Sequence, residues 1–265
     1  MLFVLSAFKN LRSKKLQTML TNHKFIFEVT AQDVDFTRRM TIVALGNHIL
    51  NTAAAAATAN GFGWKNLMEK NLAWVLSRLS IEMKSYPAQN EKFSIETWVE
   101  DYSRMFTTRN FKIFDKNDNI IGAATSIWAI IDLNTRRPYN LQNQTEWSSV
   151  ATGISADIEK PLKISEVASE ITATAFHTVV YSDIDLNQHT NSMKYVQWLA
   201  DTFDLAKFEQ KNIVRFDVNY INEALFGEKV VIFTEEKEDK TICEIKNAEN
   251  KPLCRIRFVW KEKEN

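Results

Sequence analysis

The chain has 265 residues, 45% of them hydrophobic and 11% aromatic, which is enough for one large buried core or two small ones and too apolar for a disordered chain. Lysine plus arginine and aspartate plus glutamate stand at 33 each, so no global field recruits nucleic acid or an anionic membrane, and any basic docking patch must be local. Only Cys243 and Cys254 are present, inside alternating segments rather than at motif spacing. That argues against a disulfide framework or a thiol-ligated metal and fits a reducing cytoplasm.

In chain order, Met1 to Phe8 is apolar, but the basic residues follow it instead of preceding it. No apolar stretch approaches the ~20 residues of a membrane span. Residues 1–20 read as an N-terminal extension. A helix is expected from about Met40 to Ala59, through the alanine run Ala53 to Ala57, with Gly61 as its stop. Alanine allows close backbone approach, so a sheet should wrap this helix. A strand-like run, Phe93 to Val99, comes next, and then a hairpin, Phe111 to Trp128. Its turn, Asp115 to Asn119, has Ile120 where a calcium loop needs glycine and Ser126 where it needs glutamate. The segment from about Asn134 to Ile171 loses periodicity and reads as a crossover.

The second half repeats the plan. Thr174 to Val180 alternates like a strand; Met193, Val196, Leu199 and Phe203 form one helical stripe opposite Lys194, Gln197, Asp201 and Asp204; Lys229 to Thr234 is a further strand. Cys243 to Trp260 matches the first hairpin in length and in its closing tryptophan. The expected fold is therefore α+β, a tandem (double) hotdog in which each half is a long helix wrapped by a curved antiparallel β-sheet. The boundaries are an extension over 1–20, an N-terminal hotdog domain over 21–140, a linker over 141–170 and a C-terminal hotdog domain over 171–265. Two such sheets can join edge to edge and leave a tunnel for an apolar chain between helix and sheet.

Asp185 to Asn191 carries the chemistry. A carboxylate, an amide and an imidazole alternate at Asp185, Asn187 and His189, just ahead of the second helix. In an extended segment all three would point to one face, and the helix would aim its free N–H groups at the same place, the outline of an acyl-transfer or hydrolase site. The same residue types also serve as turn and cap residues, and spacing alone leaves the two readings even. Asp183, Asp185 and His189 might suggest a metal site, but no second histidine lies at the spacing that zinc needs, and His177 falls in a strand-like run. No metal and no cofactor is expected.

From about Phe25 to Trp260 the chain resembles the plant-type fatty acyl-ACP thioesterase family, in a bacterial-style version without a transit peptide. In the first half the resemblance rests on Asn47-His48, Asn60 to Trp64, Leu72 to Arg78, Tyr86-Pro87, Thr97 to Val99, Ser126 to Trp128 and Thr135 to Arg137. In the second it rests on Ser182 to Asn191, Lys194-Tyr195 and Tyr220 to Glu223. It implies hydrolysis of the thioester of fatty acyl-acyl carrier protein, with catalytic residues Asp185, Asn187, His189 and Glu223 in the C-terminal half. The cysteine that follows the glutamate in plant members is Ala224 here, which turns the expectation to water as nucleophile.

On that reading Glu223 activates water, Asn187 positions the water or the carbonyl, Asp185 orients His189, and N–H groups at the start of the second helix complete an oxyanion hole. The first half reads as a substrate-binding copy in which His48 and Asn47 echo the site, with no counterpart of Asp185 and no clear one of Glu223. Leu45, Ile49, Trp64, Leu67 and Met68 are its candidate tunnel walls. The implied partner is an acyl carrier protein bearing a fatty acyl chain, docked on local cations such as Arg136, Arg137 and Lys194. No nucleic acid or integral membrane association is implied, and a homodimer is left open. The fold also hosts acyl-CoA thioesterases, dehydratases and non-catalytic acyl binders, which are the alternatives.

Overall fold

Alternation of apolar and polar residues gives strands with one buried face. The computed structural model, which describes residues 22–143 and 149–263, joins ten such strands in one antiparallel sheet; the extension expected over 1–20 lies outside the described residues. The first half contributes β1 (Asn22–Glu28), α1 (Ile42–Ala59), α2 (Trp64–Met68), β2 (Leu72–Met83), β3 (Lys92–Tyr102), β4 (Thr107–Phe114) and β5 (Ile120–Asp132). The second contributes β6 (Ala175–Thr178), α3 (Ser192–Ala200), α4 (Leu205–Gln210), β7 (Lys211–Tyr220), β8 (Lys229–Lys237), β9 (Lys240–Asn247) and β10 (Pro252–Glu262). The strand order β1-β3-β4-β5-β2-β7-β10-β9-β8-β6 reads the same from either edge once β6 to β10 are matched to β1 to β5. The halves meet where β2 pairs with β7, from Arg78 opposite Asn219 to Glu82 opposite Arg215.

Helix α1 begins at Ile42 because the Thr41 hydroxyl accepts from the Ala44 amide at 3.1 Å, an N-cap that leaves Met40 outside. It ends at Asn60, where Gly61 takes φ +80°. Its buried face, Leu45, Ile49, Ala53 and Ala56, lies on the concave side of the sheet. Gly46 lies against the Met193 side chain, so α1 and α3 cross where one of them has no Cβ. In α3, Met193, Val196 and Leu199 are buried as the stripe requires, but the helix stops at Ala200. Phe203 therefore lies beyond it, with its ring 5.4 Å from that of Trp260.

Both hairpins turn on a side-chain acceptor. Asp115 accepts from the amides of Asn117 and Asn119, each at 2.8 Å, and Asn247 accepts from Lys251 at 2.9 Å. Asp118 and Asn250 take positive φ in these turns. On the convex face a polar band crosses the seam: Asp217 accepts from Ser80 at 2.5 Å, Arg215 at 2.8 Å and Arg257 at 2.7 Å. Residues of the crossover are strapped over this band, with Arg78 donating to the Pro161 carbonyl and Asn219 bonding both Leu162 and Ile164.

Candidate active site

The segment Asp185–His189 is not extended. The Asp185 carboxylate accepts from the backbone amides of Asn187 at 2.8 Å and His189 at 3.2 Å, its own amide donates to the His189 carbonyl at 2.8 Å, and Gln188 takes φ +65°. A carboxylate with two amide donors within reach closes a turn in preference to a strand. The expectation of three side chains on one extended face is thus corrected. Asp185, expected to orient His189, holds its backbone and makes no bond to the ring. Asn191 caps α3 by accepting from the Met193 amide at 2.9 Å.

The turn delivers His189 to Glu223: Nε2 lies 3.4 Å from Oε2. Glu223 follows β7 in a segment pinned on both sides. Ile221 and Asn222 donate their amides to the Leu253 carbonyl, the Ala224 amide donates to the Tyr195 hydroxyl at 2.9 Å, and Thr190 donates both its amide and its hydroxyl to the Ala224 carbonyl. Burial pushes the Tyr195 phenol up, so it stays protonated and hydrogen-bonding in this clamp. Asp183, behind the turn, is held low despite burial by hydrogen bonds from Val180 and His177 and by the charge of Lys194. It is a structural anchor.

The first half supplies the other wall. After β5 the Asp132 carboxylate accepts from Asn134, Thr135 and the Thr135 hydroxyl, and this turn carries Arg136 at φ +56°. The Arg136 guanidinium donates to Glu223 Oε2 at 2.6 Å. Arg136, a candidate for docking, grips the candidate base across the two halves. Lys194 is likewise engaged, with Gln197 at 3.0 Å and Asp183 at 3.8 Å, whereas Arg137 forms no ion pair among the described residues.

Asp185, Asn187, His189, Glu223 and Arg136 line one cleft of ≈ 470 Å³, together with Trp74 to Ser77 of β2. Asn187 and Trp74 also line a second, apolar chamber of ≈ 180 Å³ between α1, α2 and the concave sheet. Of the wall residues expected, Trp64 and Leu67 are there. Leu45 and Ile49 are instead buried in the core shared by both halves, because they lie on the face of α1 that meets the sheet, and Met68 is exposed.

The first half carries a copy of the turn. Asp35 accepts from the Thr37 amide at 2.8 Å and donates its own amide to the Arg39 carbonyl, Arg38 takes φ +60°, and the Met40 amide donates to Pro87 as Thr190 does to Ala224. Asp35 is therefore the counterpart of Asp185, contrary to expectation, and Thr37, Arg39 and Tyr86 stand where Asn187, His189 and Glu223 stand. His48, expected to echo the site, is bound to Asp33 at 3.1 Å between the rings of Phe27 and Phe93. The signal was present as Asp33-Val34-Asp35 and Asp183-Ile184-Asp185, each six residues before its helix cap, Thr41 or Asn191.

Two helix-on-sheet halves sharing one antiparallel sheet, with an acid–imidazole cleft at their junction, define a double-hotdog protein. Models of the acyl-ACP thioesterase N-terminal and C-terminal domains match residues 21–146 and 166–262, and the chain belongs to that family. A crystal structure of an acyl-ACP thioesterase from Bacteroides thetaiotaomicron is similar at 38% identity and TM-score 0.86, over 92% of this chain and 99% of that one. The 12:0-ACP thioesterase from Umbellularia californica shares the fold at 21% identity and TM-score 0.81, over 91% and 98%. A palmitoyl-acyl carrier protein thioesterase, chloroplastic, from Arabidopsis thaliana is 25% identical over 210 residues, 74% of this chain and 51% of that protein. The chain thus spans about half the length of the curated relatives it matches. Among the described residues no helix is long and apolar enough to cross a membrane.

Proposed function

We propose that the chain hydrolyses the thioester of fatty acyl-acyl carrier protein, releasing free fatty acid and holo-ACP, by direct attack of water. The observation that carries this reading is the His189–Glu223 pair in a cleft that shares the wall residues Asn187 and Trp74 with an apolar chamber. Arg136 and His189 share Glu223 Oε2, which leaves Oε1 to take the proton of the attacking water. His189 hydrogen-bonds the reacting group, and the Asn187 amide holds the water or the carbonyl.

At the start of α3 the amides of Asn191, Met193 and Lys194 are already engaged, by Asp183, the Asn191 side chain and the Asn191 carbonyl. Ser192, which lines the cleft, has the N–H left to meet an oxyanion. Asp185 acts at one remove, by shaping the turn. Neither thiol competes with water. Cys243 and Cys254 are fully buried, and burial holds both far above the range in which a thiolate forms.

An acyl carrier protein is acidic, and of the three candidate cations Arg137, exposed and next in sequence to Arg136, is the one with no ion pair among the described residues. The test is turnover of acyl-ACP and acyl-CoA of the same chain length by the purified protein. Faster hydrolysis of acyl-ACP is expected. Preference for acyl-CoA would make the chain an acyl-CoA thioesterase, and retention of fatty acid with turnover of neither substrate would make it a binding protein.

A further inference from the structure

The concave side of β3, β4 and β5 is apolar where Phe111 and Ile113 lie, but the next position along β4 on that face is Arg109. It stands opposite Val99 of β3 and Ser126 of β5, and it lines the apolar chamber with Leu50, Ala53, Ala57, Phe62 and Trp64. Arg109 is 5% exposed. Its guanidinium makes one hydrogen bond, from Nη1 to the Thr97 hydroxyl at 3.3 Å, and no carboxylate pairs with it among the described residues. The other buried arginines differ: Arg215 has Asp217, and Arg255 has Glu244, each at 2.8 Å.

Tyr102, also on the chamber wall, has a buried hydroxyl with no hydrogen-bond partner. Burial lowers the Arg109 pKa to about 10 and raises that of Tyr102 to about 12, so both are protonated donors at neutral pH. A guanidinium has five N–H donors, and a site that buries unanswered donors discriminates strongly against a ligand that cannot accept from them. A plain hydrocarbon tail in this chamber would leave them unanswered.

We propose that the chamber selects acyl chains bearing an acceptor oxygen beyond the thioester, as a hydroxyl, an oxo group or a terminal carboxylate, which Arg109 and Tyr102 bind together. The proposal rests on the thioesterase reading for how the chain arrives, but not for the chemistry of the chamber.

The experiment compares kcat/KM for unsubstituted, hydroxylated and terminally carboxylated acyl-ACPs of matched length, in the wild type, Arg109→Met and Tyr102→Phe. The wild type should favour at least one oxygenated chain about tenfold or more, a small part of what a hydrogen-bonding site can achieve. Arg109→Met should remove that preference, read as the ratio of kcat/KM for the oxygenated chain to that for the plain one. Tyr102→Phe, which deletes one hydroxyl and keeps the ring, should reduce the preference in part. Equal or better turnover of plain chains by the wild type would mean that water satisfies Arg109, and would overturn the proposal. So would an unchanged preference in both variants. If no acyl-ACP is hydrolysed at all, the thioesterase reading fails by itself, and calorimetric titration with the free acids still decides: tighter binding of the oxygenated acid supports the chamber's role and equal binding refutes it.

Discussion

Replacing Asp185 by asparagine separates a residue that shapes the turn from one that takes part in the chemistry. An asparagine keeps an acceptor oxygen for the amides of Asn187 and His189, now at 2.8 and 3.2 Å, and gives up only the charge. Hydrogen bonds to charged groups contribute about 1.5–3 kcal/mol and neutral ones about 0.5–1.5, so the change costs ~1 kcal/mol per bond and ~2 kcal/mol in all. Expressed entirely in the barrier, that is ~30-fold in kcat; expressed in stability, it is ~4–8 °C in Tm for a chain of this size. A carboxylate that fixed the imidazole tautomer would instead cost about 10⁴. Steady-state kcat on an acyl-ACP, with a thermal melt of the same preparation, reads both quantities. His189→Ala is the reference, with an expected loss of about 10²–10⁴. If Asp185→Asn loses a thousandfold or more with its Tm unchanged, Asp185 acts on the reaction and the reasoning from the turn is wrong.

Glu223→Gln should lose most turnover, since an amide cannot take the proton from water, while the double variant Cys243→Ala, Cys254→Ala keeps its kcat; an acyl group trapped on either cysteine would reverse the assignment. Arg136→Gln should lower kcat by about tenfold or more, the scale of one misplaced catalytic group, and leave the KM for acyl-ACP unchanged. A raised KM at constant kcat would return Arg136 to the docking surface. Asp217→Asn should destabilise the chain by about 3–5 kcal/mol in a denaturant titration, because it leaves Arg215 and Arg257 facing a neutral group in a buried band. Burial raises the Asp217 pKa, but Arg215, Ser80 and Arg257 outweigh it and hold the carboxyl below its ordinary value. Its stabilisation is therefore present above the unfolded-state pKa and lost as pH falls through the lower, folded-state one. The variant should show a flatter acid limb in stability against pH, and an unchanged limb would exclude Asp217 as its source.

The architecture was legible because its signals are local. Alternation with a polar turn marks both hairpins, and the alanine run between Thr41 and Gly61 marks α1. The second helix was drawn too long because Phe203 continues the apolar spacing of Leu199, although α3 ends at Ala200. The sequence named four residues that the structure brings to one cleft, but not the geometry in which they meet. A carboxylate, an amide and an imidazole at alternate positions suit both a strand and a side-chain-capped turn, and only the hydrogen bonds to Asp185 decide between them. Arg136 reaches Glu223 from 87 residues away across the join of the halves, a contact that no periodicity encodes. The counterpart turn at Asp35 escaped notice because its backbone is kept while Arg39 and Tyr86 replace the histidine and glutamate. Nothing in the sequence marks Arg109, because the lack of a carboxylate beside it is a property of the strands on either side and of the helix above.

The sheet runs unbroken from β1 to β6 through the β2–β7 pair, so the chain is a covalent stand-in for a symmetric pair whose members no longer have to match. In a true pair every substitution appears twice and changes both sites together. On the proposed reading a change on β4 alters what fits, a change after β7 alters how fast it reacts, and neither is duplicated. On that reading selectivity and rate are tied mainly where the halves touch, at Arg136 and Glu223 and at the Asn187 and Trp74 shared by cleft and chamber, and elsewhere each half can change without its counterpart.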